Sequence, residues 1–468
     1  MNFKCLACVV LVTAVMLVCS CKKFIQIPPA TGTLVGAQLF SDSADATAAV
    51  VGIYTQLNVG SFNYTIGSGA MTFYTALSSD ELIPNSGVSD ENEFYSNALT
   101  AIGNSTLQSV FWDGPYSLIY QTNACIEGLT NSKSLSESLK NQLIGECQLF
   151  RAMIYFNMVN LFGGVPLVGS TNYTVNESLP RANVDSVYTL IFWDLRCSVN
   201  MLGATYFTPG RYRPNKYTAE ALLSKVYLFR GEWDSSSATA NDVISSGVYS
   251  LEADPGDVFL TNSNEAIWQV LSANSGYETT EANLLMPSEN NVEPTYLISG
   301  YLLSAFEVGD LRRTDWLDSN VVNGVSYYYP YKYKQGYDGG LSTQIEVYTV
   351  FRLAEQYLIQ AEAMAELGEF AQADSAMNII RGRAGLNKLE PDTKSSVIAA
   401  IMHERQIELF CEWGNRWLDL RRTNTVGQVL GVPGSEKPGW PSDGHAALYP
   451  IPNDQILLNP ALVQNPGY

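Results

Sequence analysis

Histidine is almost missing: His403 and His445 are the only two in 468 residues. That scarcity leaves few possible centres for Ser-His-Asp or Cys-His chemistry. His403-Glu404 begins like a zinc-binding helix, but Ile407 stands where the second ligand belongs. Positive charge is also short, with 27 Lys and Arg against 46 Asp and Glu and a net charge of -19. The clustered cations that displace counterions from a phosphate backbone are therefore lacking, and a nucleic-acid partner is excluded. No glycine-rich phosphate loop occurs, since Gly163-Gly164 follows a helical pattern and precedes Pro166, the reverse of a phosphate cradle. A paired-carboxylate glycosidase survives these tests, because its acid and base are recognised by their separation in space.

The apolar run from Cys5 to Val18 is too short for a permanent membrane span but fits the core of a secretory signal. Leu17-Val18-Cys19-Ser20-Cys21 follows, a string that resembles a bacterial lipobox with Cys21 as the lipidated first residue of the mature chain. The expected organisation is a signal peptide over 1–20, a tether over 21–36 rich in Pro, Thr and Gly, and one domain over 37–468. Acyl chains on Cys21 would hold the protein at a membrane by burying methylene groups. Processing leaves Cys125, Cys147, Cys197 and Cys411, which have no CxxC spacing and read as buried free thiols.

What the chain has in quantity is helical period. In 351–386, Leu353, Tyr357, Ala361 and Met364 form one apolar stripe, Gly368 ends the helix, and Phe370, Ala373, Met377 and Ile380 form a second. Alanines between them allow an antiparallel hairpin that resembles a tetratricopeptide unit. A hairpin of this kind needs a stacking partner, and 217–246 supplies one, with Arg230-Gly231-Glu232-Trp233 answering Leu367-Gly368-Glu369-Phe370. Further helices are expected over 42–58, 108–129, 137–161 and 184–201, with a last long one from Ser395 to Arg422. Two stretches, about 60–103 and 268–348, show little period and many Tyr, Asn and Ser. Irregular segments of this length are usually functional or mobile.

Several strings together carry a family resemblance. They are Arg151-Ala152-Met153-Ile154-Tyr155-Phe156 running on to Gly164-Val165-Pro166-Leu167-Val168, Phe351-Arg352-Leu353-Ala354-Glu355, and Asn378-Ile379-Ile380-Arg381. Glu404-Arg405 through Glu412 and Arg416-Trp417 to Asp419-Leu420-Arg421-Arg422, and the ending Tyr449-Pro450-Ile451-Pro452, belong to the same set. In this order they resemble the SusD/RagB family of outer-membrane lipoproteins. The resemblance implies a mostly α fold, in which tetratricopeptide-like hairpins pack against an irregular loop-rich half with a few short strands. It also implies a cell-surface role, binding a nutrient for a SusC-like TonB-dependent transporter. The ligand expected is an oligosaccharide, with an oligopeptide as the alternative and a glycoside hydrolase as a more distant one.

The helical spacing of Arg151, Glu355, Glu362, Glu404, Arg405, Glu412 and Arg416 marks interhelical ion pairs, so no catalytic residue, cofactor or metal ligand is assigned to them. Sugar recognition needs flat aromatic faces beside amides or carboxylates. The loop-rich stretches supply them, and Asp80, Tyr95, Asn97, Tyr277 and Tyr296 are the expected ligand residues. Asp80, Glu81, Asp90, Glu91 and Glu93 lack the regular ligand spacing of a dedicated calcium loop and read as a solvated charge run, with calcium binding left as the alternative.

Overall fold

The structure is a computed structural model that describes residues 39–57, 65–273, 276, 279–337, 345–432, 437 and 439–468. The signal peptide, Cys21 and the tether lie outside the described residues, as does Tyr277.

Helix follows helix through the first half of the chain. Helix α1 (Ser43–Leu57) is followed by α2 (Ala70–Ser78), α3 (Ser89–Ser96), α4 (Gly114–Asn131), α5 (Glu137–Phe162) and α6 (Val184–Met201). Then come α7 (Lys216–Arg230), α8 (Trp233–Ile244), α9 (Leu353–Leu367), α10 (Phe370–Arg383), α11 (Lys394–Glu408) and α12 (Asn415–Arg422). From α4 to α10 each helix packs on the next, and α11 also packs on α9. The two hairpins read from the sequence are α7 with α8 and α9 with α10. They meet through α8 and α9, with Leu228, Ala240, Ile359 and Ala363 buried between them. Phe351 and Arg352 are not helical; they end a strand that runs straight into α9.

Both hairpin turns use a glycine in the left-handed region, Gly231 at φ 71° and Gly368 at φ 84°. Helix α5 is buried on every side from Gln142 to Val159, as befits the element around which the others are laid. Gly163 ends it at φ 75°. At Gly164 an added Cβ would stand 2.2 Å from the Ala182 carbonyl oxygen, a backbone atom that cannot step aside. Gly164→Ala is therefore expected to cost about 2 kcal/mol, the usual scale of an overpacked interior. Urea unfolding checks this, and an unchanged midpoint would refute it.

Two expectations from the sequence are corrected. The stretch 60–103 contains helices α2 and α3. All nine residues of α2 are buried, so it has no polar face and hence no amphipathic period to read. The long helix expected from Ser395 to Arg422 is two helices, α11 and α12. Between them Cys411 and Trp413, each at φ 49°, and Gly414 at φ 73° reverse the backbone. Left-handed non-glycine residues are strained. Here the turn is held by Cys411 N donating to Glu81 Oε1 at 3.3 Å and Trp413 N donating to Thr72 Oγ1 at 3.1 Å.

Among the described residues the strands form three antiparallel pairs. Strand β1 (Leu82–Pro84) pairs with β3 (Tyr296–Ile298), β2 (Ala266–Val270) with β6 (Tyr348–Arg352), and β4 (Leu317–Val322) with β5 (Val325–Pro330). The four remaining cysteines are free thiols as expected, although Cys197 is only half-buried.

Candidate functional site

The loop-rich half is fixed to the helices by buried charge. Glu408 on α11 accepts from Arg312, Arg352 and Arg383, and none of these four side chains is more than 4% exposed. Arg352 also reaches Glu265 at 2.8 Å and Glu412 at 2.7 Å. Each of the seven ion-pair residues named from the sequence has a partner. Arg151 pairs with Asp194, Glu355 with Lys225, Glu362 with Arg422 and Glu404 with Arg312. Arg405 pairs with Asp419, Glu412 with Arg352, and Arg416 with Asp80.

On this base β1 and β3 bring the two irregular stretches together, with Leu82 opposite Ile298 and Pro84 opposite Tyr296. Beyond β3's N-terminal end the chain forms a rim over 286–295. The rim is held on one side by Asn320, whose amide donates to the carbonyls of Glu289 at 2.7 Å and Val292 at 2.8 Å. On the other side Asn85 N donates to the Thr295 carbonyl at 2.8 Å and its side-chain amide to Glu293 at 3.1 Å. Between the rim and the irregular segment that follows β5 lies an open cleft of about 650 Å³. Asn283, Met286, Ser288, Thr295, Tyr296 and Tyr337 line it. Tyr337 is 60% exposed. A projecting aromatic ring beside an amide and hydroxyls, facing a rim fixed from both sides, can bind a flat polar ligand with little rearrangement of that rim.

Of the residues expected at a ligand site, Tyr296 lines this cleft, but its ring packs against Phe73 with centroids 4.4 Å apart and its hydroxyl donates to Glu91 at 2.7 Å. It forms part of the cleft's floor. Asp80 is buried and receives Arg416 through two bonds of 2.7 and 2.6 Å, which ties the lead into β1 to α12. Asn97 ends α3 at φ 54° and donates to the Ser78 carbonyl at 2.9 Å. Tyr95 is half-buried, with Lys437 Nζ 4.3 Å from its ring centre. Asn97 and Tyr296 thus brace α2, while Asp80 ties the segment after it to α12. Tyr337 was not singled out from the sequence; only the tyrosine density of its stretch pointed that way.

The acidic run is not solvated as expected: Asp80, Glu81 and Glu91 are at most 6% exposed. Burial, with Asp80 adding to it, pushes the Glu81 carboxyl up to about 8. Burial likewise pushes Glu281 up to about 7. Glu281 faces a small internal cavity with Lys332, Tyr333 and Cys411, apart from the open cleft. Such protonated carboxyls can mimic a catalytic acid, yet neither lines the cleft.

Two sequence profiles match the chain, one described as the SusD family over residues 306–468 and one as "Starch-binding associating with outer membrane" over 66–228. The chain belongs to the SusD family. SusD-like protein P2 of Formosa agariphila is 26% identical over 93% of this chain and 95% of its own. Among solved structures, a SusD superfamily protein from Bacteroides vulgatus superposes with a TM-score of 0.81 at 21% identity, covering 92% of this chain and all of the other. A laminarin-binding SusD-like protein superposes with a TM-score of 0.75 at 24% identity, covering 91% and 99%. These likenesses are to the whole SusD fold, with loop-rich half and hairpins alike. Among the described residues no helix is long and apolar enough to cross a membrane.

Proposed function

We propose that this SusD-family chain is an outer-membrane lipoprotein, anchored through Cys21 and facing the cell exterior. It would hold an oligosaccharide in the cleft beside Tyr337 and deliver it unaltered to a SusC-like TonB-dependent transporter. The observation that carries the ligand reading is the cleft itself, with an exposed tyrosine ring for the apolar side of a sugar and Asn283, Ser288 and Thr295 for its hydroxyls. The laminarin-binding relative of the same fold supports the choice of a glycan over a peptide. Binding without hydrolysis fits the seclusion of Glu81 and Glu281 from the cleft. Asp80, Tyr95, Asn97 and Tyr296 act in this reading mainly by shaping the wall that carries the cleft, with Tyr277 close to it in sequence.

Tyr337→Ala is expected to weaken glycan binding by about tenfold, the loss of one well-placed ring, with an unchanged melting temperature. Titration calorimetry with the best-retained glycan checks this. Unchanged affinity would place the site elsewhere, and new reducing ends in the mixture would make the protein an enzyme. Recovery of no TonB-dependent receptor on pull-down from solubilised outer membranes would count against the transport role.

A further inference from the structure

The cations of this chain are distributed unevenly. Residues 24–132 contain no Lys, Arg or His, and neither do residues 231–311. These two stretches supply β1, β3 and the whole rim over 286–295. Among the described residues, the side chains that line the cleft are uncharged. The cations nearest in sequence to its other wall are all turned elsewhere. Lys332 Nζ donates to the Glu408 carbonyl at 2.9 Å and pairs with Glu412. Lys334 Nζ lies 5.6 Å from the Tyr331 ring centre, on the side of Gly256. Arg313 donates to the Leu303 carbonyl at 3.1 Å and lies over Tyr328.

Among the described residues, Glu293 and Glu91 near the cleft are engaged too. Glu293 accepts from Asn85 and from the Tyr327 hydroxyl, and Glu91 accepts from Tyr296 and Ser86. Glu289 is exposed on the rim but does not line the cleft. A ligand bearing repeated negative charge would find no cation to pair with and would meet the field of a chain carrying -19. Among the described residues, a cationic ligand would find no uncommitted carboxylate in the lining. The geometry points to an uncharged oligosaccharide as the ligand of this cleft, to the exclusion of uronate-rich and sulfated glycans.

This rests on the glycan-binding reading above, and the test separates the two. The mature protein is run in native gels containing a neutral panel of starch, β-glucan, mannan and xylan. Parallel gels contain polygalacturonate, alginate and carrageenan. Retardation is expected in at least one neutral gel and in none of the anionic ones. The affinity for the retained glycan should change by less than about twofold between roughly 50 and 500 mM NaCl, because screening acts only on charge pairs. Strongest retention by an anionic glycan, weakening with salt, would overturn this inference and leave glycan binding standing. Retention by no glycan, together with oligopeptide binding that Tyr337→Ala abolishes, would overturn the glycan reading itself.

Discussion

Glu408→Ala is expected to leave no cooperatively folded protein. The Glu408 carboxylate is fully buried and receives Arg312 at 2.9 Å on one oxygen and both Arg352 and Arg383 on the other. Burial alone would push this carboxyl up. Arg383, Arg352 and Arg312 outweigh it and hold the group well below the usual carboxylate range. Removing one partner of a buried ion pair typically costs about 3 to 5 kcal/mol, because the other charge is left uncompensated. Here three guanidiniums lose a partner at once, so the loss should be at least about 5 kcal/mol, a large share of the roughly 5 to 15 kcal/mol that holds a domain together. Glu408→Gln keeps an acceptor and should be milder. Thermal melts followed by circular dichroism decide the matter; a melting temperature for the alanine variant within about 3 °C of the parent would contradict the assigned role.

The second large effect is a pH dependence of unusual sign. The folded chain holds Glu81 at about 8 and Glu281 at about 7, against an ordinary 4.5. Between pH 4.5 and 7 the native state therefore binds up to two protons that the unfolded chain releases. The stability they contribute is fully present below about 4.5 and is lost as pH rises toward 8. Each proton changes stability by at most about 1.4 kcal/mol per pH unit, so several kcal/mol separate pH 5 from pH 8 on this account. Lys332, pushed down to about 8 by burial, acts mainly above that window. The double variant Glu81→Gln, Glu281→Gln should hold its melting temperature between pH 5 and 8 where the parent's falls. Parallel curves for the two proteins would refute the assignment.

How much of this was written in the residues depends on where a side chain faces. Hairpins α7–α8 and α9–α10 have one greasy and one polar side, so their stripes and their Gly231 and Gly368 turns are legible. The ion-pair positions that lie on helices are legible for the same reason, since a charge recurring on the apolar side of a helix must find a partner; Glu412 instead lies in the turn between α11 and α12 and pairs with Arg352 on β6. Helix α2 was invisible because burial on all sides erases the period. The break before α12 was invisible because Cys411 and Trp413 adopt a conformation that sequence rules reserve for glycine. At the proposed cleft, the described lining residues all come from the irregular stretch 268–348, but which of its side chains face the cleft is not legible in the sequence. Asp80 and Tyr296 have the chemistry of ligand contacts, yet Arg416 and Glu91 claim them first. Tyr337 stands out only because the surrounding chain leaves it uncovered, a property of the assembled fold.

Asn85 and Asn320 grip the rim over 286–295 before any visitor arrives. The entropy of ordering that segment is lost once, during folding, and is not lost again at each capture. Encounters with a floating chain of sugars should then behave as collisions with a rigid surface, set by diffusion and orientation rather than by a slow rearrangement. Weak individual grips would form and release quickly, as the proposed hand-over to a transporter requires.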